Sequence, residues 1–115
     1  MINPDDRGYD MFQADLITSG DTVTIQMSGD LDALSAPSFH EILQQVATRS
    51  PKKLCLAMHG LSYISSAGVR GLVFARQKMG DDMEVVVEGA NENVAETIRM
   101  TGLQHAITIR ESFSA

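Results

Sequence analysis

The sequence predicts an α/β fold: a single domain with a mixed β-sheet and helices packed against it, in the order β-β-α-β-α-β-α-β. Three observations predict it. Short apolar runs of strand length alternate with segments whose apolar residues recur at helical spacing. Alternating strands and helices require parallel pairing through right-handed crossovers, which lays the helices on a sheet. The first two strand-like runs are separated by a turn cluster alone, so they form a hairpin and make the sheet mixed.

Taken in order, Met11 to Ile17 is the first strand and Ser19-Gly20-Asp21 its turn. Val23, Ile25 and Met27 alternate with Thr24 and Gln26, the period of a half-buried second strand. The stretch SGDLDALSAP reads as a loop that ends in a Ser-x-Pro helix start. Phe39, Ile42, Leu43 and Val46 give the first helix a buried face, and Ser50-Pro51 ends it. Leu54 to Met58 is a continuous apolar run, as in a central strand covered on both faces.

A second helix is expected from Ala67 to about Met79, stopped by Gly80. Met83 to Val87 is a valine-rich strand. Asn91 can cap a third helix carrying Val94, Ala95 and Ile98, with Gly102 at its end. Ile107 and Ile109 mark a short last strand. The domain is expected over residues 9–110, with an extension at 1–8 and a tail at 111–115.

The 115 residues supply one hydrophobic core and not two. No apolar stretch has the length of a membrane span, and the acidic, proline-containing start MINPDDRGYD is unlike a signal peptide. A cytoplasmic protein is expected. The single Cys55 excludes an internal disulfide framework and reads as a small core residue.

A net charge of −6 argues against non-specific nucleic-acid binding, which draws on phosphate neutralisation. The distribution says more than the sum. Residues 49–80 hold six bases and no acid, between two segments rich in acids. That block is either a chance of a short chain or the mark of an anion or acidic partner.

Inside the basic block lies YISSAGVRG, Tyr63 to Gly71, with two adjacent hydroxyls at a strand-to-helix junction. With a helix beginning at Ala67, Ser66 takes the N-cap position. The same helix start favours negative charge, and Gly68 lets a surface or a phosphate come close. A nucleophile elbow would need a glycine two residues before Ser66, where Ile64 stands. No phosphate-binding loop, dinucleotide fingerprint or metal-spaced Cys/His cluster is present, so neither enzyme nor metal chemistry is expected.

On the second helix, Gly68, Val69, Leu72, Val73, Ala75 and Met79 form one arc toward the sheet. Arg76 falls within it and must snorkel, toward the carbonyls of the last turn. Phe74 falls on the other side with Arg70, Gln77 and Lys78, where it is a candidate contact for a partner helix.

Two motifs carry a resemblance. "SGDLDALSAPSF", Ser28 to Phe39, and "LSYISSAGVRGL", Leu61 to Leu72, together resemble the two signature loops of the STAS domain, the fold of bacterial anti-sigma factor antagonists. The resemblance spans roughly residues 9–110. It implies a non-enzymatic binding module whose unphosphorylated form binds a GHKL-type serine kinase that is also an anti-sigma factor. It also implies release of a sigma factor on binding, loss of binding on phosphorylation, and a serine phosphatase that resets the switch.

By motif alignment Ser66 is the phosphoacceptor. The preceding position, often Asp in the family, is Ser65 here and gives a second candidate hydroxyl. Asp32 matches the acid beside the phosphoacceptor, and the resemblance puts Asp30, Asp32, Ser65, Ser66 and Gly68 at the partner surface. Arg70 and Phe74 join it from the helix face. No membrane insertion and no cofactor are expected, and a weak homodimer is compatible with the family. The alternative is a non-phosphorylated STAS subunit of a stressosome-like or lipid-transport complex, or a small-ligand module.

Overall fold

The computed structural model describes residues 11–80 and 82–110, apart from the side chains of Met79 and Gln104. The proposed extension at 1–8 and tail at 111–115 lie outside them, as does the inward placement of Met79. The described chain runs β1 (Gln13–Ser19), β2 (Thr22–Leu31), α1 (Ala36–Arg49), β3 (Lys53–Ile64), α2 (Ser66–Met79), β4 (Glu84–Glu88), α3 (Glu92–Arg99) and β5 (Thr108–Arg110). A short 3-10 turn, Leu103–His105, precedes β5. The predicted order is the observed one.

The sheet order is β1-β2-β3-β4-β5. The β1–β2 hairpin is antiparallel, and the remaining three pairings are parallel. Because each parallel strand adds on the same side of the last, right-handed crossovers return all three helices to one face. Val23, Ile25, Met27, Leu54, Leu56, Met58, Val85 and Val87 face them and are buried. From above, Phe39, Leu43 and Val46 of α1, Val69, Leu72 and Ala75 of α2, and Val94 and Ile98 of α3 join one core.

Among the described residues the helices cover the central strand on one face, not on both. On the other face Gln26 is exposed while Thr24, Cys55 and Ala57 are half-buried. Cys55 pairs with Thr24 and with the buried Val86 on the face away from the helices and is itself half-buried, so it is not part of the core under the helices. Desolvation, with Glu88 adding repulsion, pushes its thiol pKa up.

The second strand is longer than expected: the first four residues of SGDLDALSAP belong to β2 rather than to a loop. Along β3 the buried positions change from every second residue, Leu54, Leu56 and Met58, to every third, Leu61 and Ile64. Two register shifts against β2 cause this. Gln26 pairs with Ala57 but Ser28 with Gly60, and Gly29 pairs with Leu61 but Asp30 with Tyr63. Each shift inserts an extra residue in β3, and each re-aims the side chains that follow. These bulges bring Tyr63 and Ile64 level with Asp30 and Leu31 at the carboxyl end of the sheet. Among the described residues no helix is long and apolar enough to cross a membrane.

Candidate site at the start of the second helix

The carboxyl ends of β2 and β3 lie side by side, and the backbone amide of Ser65 donates to the Leu31 carbonyl at 2.8 Å. That bond holds Ser65 in extended backbone, at φ −88° and ψ 170°. Helical geometry starts one residue later than the ladder, at Ser66. Ser65 is thus the N-cap: its Oγ accepts the Gly68 amide at 3.2 Å, and its carbonyl accepts the Val69 amide at 3.0 Å. The cap expected at Ser66 belongs to Ser65. Ser66 is instead the first helical residue, exposed, with no side-chain hydrogen bond among the described residues.

Gly68 is buried, so it does not offer its surface to a partner as expected. A Cβ there would lie 2.8 Å from Leu31 Cγ and 2.9 Å from Ile64 Cγ1. The surface that comes close is the protein's own, at the strand ends. One turn on, a Cβ at Gly71 would lie 2.8 Å from Phe39 Cδ2, which lets α1 settle against α2.

Asp32 lies in the β2–α1 connection but its carboxylate is turned into its own loop. Oδ1 accepts the Ser35 hydroxyl at 2.9 Å and the amides of Ser35 and Leu34 at 3.0 and 3.1 Å. In return Ser35 Oγ accepts the Asp32 amide at 3.0 Å. The Ser35 hydroxyl first, and its amide second, hold the Asp32 carboxyl below the usual aspartate range. This reciprocal box stiffens the loop and holds Leu34 outward, 88% exposed. Asp30 is half-buried on β2, and its carbonyl, 3.1 Å from Ser35 Oγ, is the alternative acceptor for that one hydroxyl proton.

The flank of α2 also differs from expectation. Phe74 is half-buried and packs on His40 of α1, with ring centroids 4.1 Å apart and planes 38° apart. It is a helix–helix contact and not a free apolar surface. Arg70 is exposed and has no hydrogen bond or ion pair among the described residues. Arg76 snorkels, but past the last turn of the helix, where the expected acceptors lie: it donates to the Gly80 carbonyl and to that of Met83 at 2.7 Å. Asn91 caps α3 through the Val94 amide at 2.8 Å, and its Nδ2 also reaches the Leu61 carbonyl at 3.2 Å.

Between the first turns of α1 and α2 runs a shallow groove lined by Ala33, Ala36, Pro37, His40, Ala67, Arg70 and Gly71. Sequence reasoning missed it, because it depends on Gly71 admitting Phe39. Among the described residues no group of three or more His, Cys, Asp or Glu is placed to hold a metal ion. The site is an exposed hydroxyl in the first turn of α2, with Arg70 four residues on along the same helix.

The model of the STAS domain family matches residues 13–115. The chain belongs to the STAS family. This STAS domain superposes on an anti-sigma factor antagonist from Mycobacterium paratuberculosis with a TM-score of 0.83 at 18% identity, over 98% of this chain and 92% of that one. The anti-sigma factor antagonist SpoIIAA in its unphosphorylated form matches with a TM-score of 0.69 at 15% identity, over 90% of each chain. The Bacillus SpoIIAA in the phosphorylated form gives 0.67 at 14% identity, over 90% of this STAS domain and 93% of that chain. At these identities the likeness is one of fold.

Proposed function

We propose that this STAS domain is an anti-sigma factor antagonist in a partner-switching pathway. Its unphosphorylated form binds an anti-sigma factor that is also a GHKL-type serine kinase, and binding frees a sigma factor. Phosphorylation on Ser66 ends the interaction, and a serine phosphatase restores it. The observation that carries this reading is the division of labour between the two serines. Ser65 is committed to the cap, while the Ser66 hydroxyl is exposed and unengaged among the described residues.

The physical chemistry supports such a switch. Phosphate adds nearly two negative charges at neutral pH, near Asp30 and Asp32, and an interface there would pay for desolvation and like-charge repulsion. The cost is about 3 kcal/mol, or roughly a hundredfold in affinity. The helix start tolerates the charge, so the fold survives while binding fails. The protein acts as a kinase substrate and binding module in this reading.

Immobilised chain, incubated with extract of its own cells without ATP, should retain a kinase-type partner and release it when ATP and magnesium are added. A Ser66→Ala variant should keep the partner bound after ATP. Release from both forms alike, or capture by neither, contradicts the switch.

A further inference from the structure

Among the described residues, Arg70 is the cation that the helix brings next to a phosphate on Ser66. Arg70 follows Ser66 by four residues on α2, and side chains at that spacing are neighbours on a helix, about 5–6 Å apart at Cβ. An acidic group preceding a base by four residues, at the amino end of a helix, is also the favourable order. The other bases of the acid-free block are placed elsewhere. Arg76 is held by carbonyls beyond the helix end, Arg49 donates to Thr18 Oγ, and Lys52 pairs with Asp21 at the opposite end of the sheet. Lys53 begins β3, and Lys78 lies in the last turn of α2.

We propose that Arg70 is the internal receptor of the phosphate on Ser66, an inference that rests on Ser66 being the modified residue. Arg70 has two uses in this scheme. In the unmodified chain its guanidinium lines the groove between α1 and α2, beside His40 and with no acid among the lining residues, and there it meets an acidic group of the partner. In the modified chain it turns back on its own helix, where a guanidinium and a phosphate form a charge-assisted pair. Phosphorylation then acts twice, adding negative charge and withdrawing the groove's cation.

The pair is measurable without any partner. Phosphoserine is installed at position 66 during translation, and the second ionisation of its phosphate is followed by phosphorus NMR in wild type and in Arg70→Gln. An ion pair favours the dianion, so the wild-type value should lie lower by about 0.3 pH unit at low salt, shrinking as salt screens the pair. Arg70→Lys should recover part of the shift, and Lys78→Gln should leave it unchanged. His40 from α1 and the carboxylates of Asp30 and Asp32 are the other charged or ionisable groups on this side, and all three are kept in every variant. Identical phosphate titrations in wild type and Arg70→Gln at low salt overturn the proposal. Because the phosphoserine is installed during translation and not by a kinase, this outcome is separate from whether a kinase modifies Ser66, which the ATP-release experiment tests.

Discussion

The amide of Ser65 donates to the carbonyl of Leu31 at 2.8 Å, and this bond across two strand ends decides which of two adjacent serines caps α2. It keeps Ser65 in the sheet's ladder and starts the helix at Ser66. One hydroxyl becomes structural and the other is left free. The cap predicts an asymmetry in stability. Ser65→Ala should lose about 1 kcal/mol, the usual cost of removing an N-cap, whereas Ser66→Ala should change stability by a few tenths at most. Urea denaturation of the two variants checks this, and equal losses would place the cap wrongly.

The two glycines of α2 should respond against helix propensity. At an exposed helical site, glycine to alanine gains up to about 1 kcal/mol. At Gly68 the new methyl meets Leu31 and Ile64, and at Gly71 it meets the Phe39 ring, all nearer than carbon atoms pack. Overpacking of this kind costs about 1–3 kcal/mol. Both Gly68→Ala and Gly71→Ala should therefore lower the urea midpoint, and a raised midpoint in either would show that the neighbours yield.

Phe74 is expected to act on stability before it acts on any partner. Its contact with His40 joins α1 to α2, and aromatic pairs contribute about 0.5–1.5 kcal/mol beyond area burial. A double-mutant cycle of Phe74→Leu and His40→Ala should return a coupling energy of that order. Additive losses would mean that the two rings do not interact.

Much of the fold was legible because side-chain period reports which face of an element is buried. Val23, Ile25 and Met27 announced β2, and the capping role of Asn91 followed from its place before Val94, Ala95 and Ile98. Arg76 could be sent toward the helix end because an arginine on a buried arc has few other places for its charge. The misplaced details depend on contacts far apart in sequence. The bulges of β3 are set by pairing with β2, the cap by the Leu31 carbonyl, and the position of Phe74 by an approach of α1 that Gly71 permits. A motif match for Asp32 does not say where its carboxylate points: turn aspartates bond to their own backbone two or three residues on, and here Ser35 and Leu34 claim the carboxylate.

That box sets a pH dependence. The folded-state pKa of Asp32 is lowered, so its contribution to stability is fully present above the unfolded value, about 3.9, and is lost as pH falls through the lowered folded value. Asp32→Asn should thus be less stable than wild type at neutral pH, with the gap closing in acid. The Asp32 carboxyl, followed by NMR, should titrate below the ordinary aspartate range and move up in Ser35→Ala. A gap that persists unchanged in acid would show that ionisation of Asp32 contributes nothing.

The most direct measurement of the account is the position of the phosphate after reaction with the cognate kinase. Peptide mapping by mass spectrometry distinguishes Ser65 from Ser66. Phosphate is expected on Ser66, absent in Ser66→Ala and retained in Ser65→Ala, with the modified chain no longer binding the kinase. Phosphate on Ser65 with Ser66 unmodified, or full binding by the chain phosphorylated on Ser66, would contradict it.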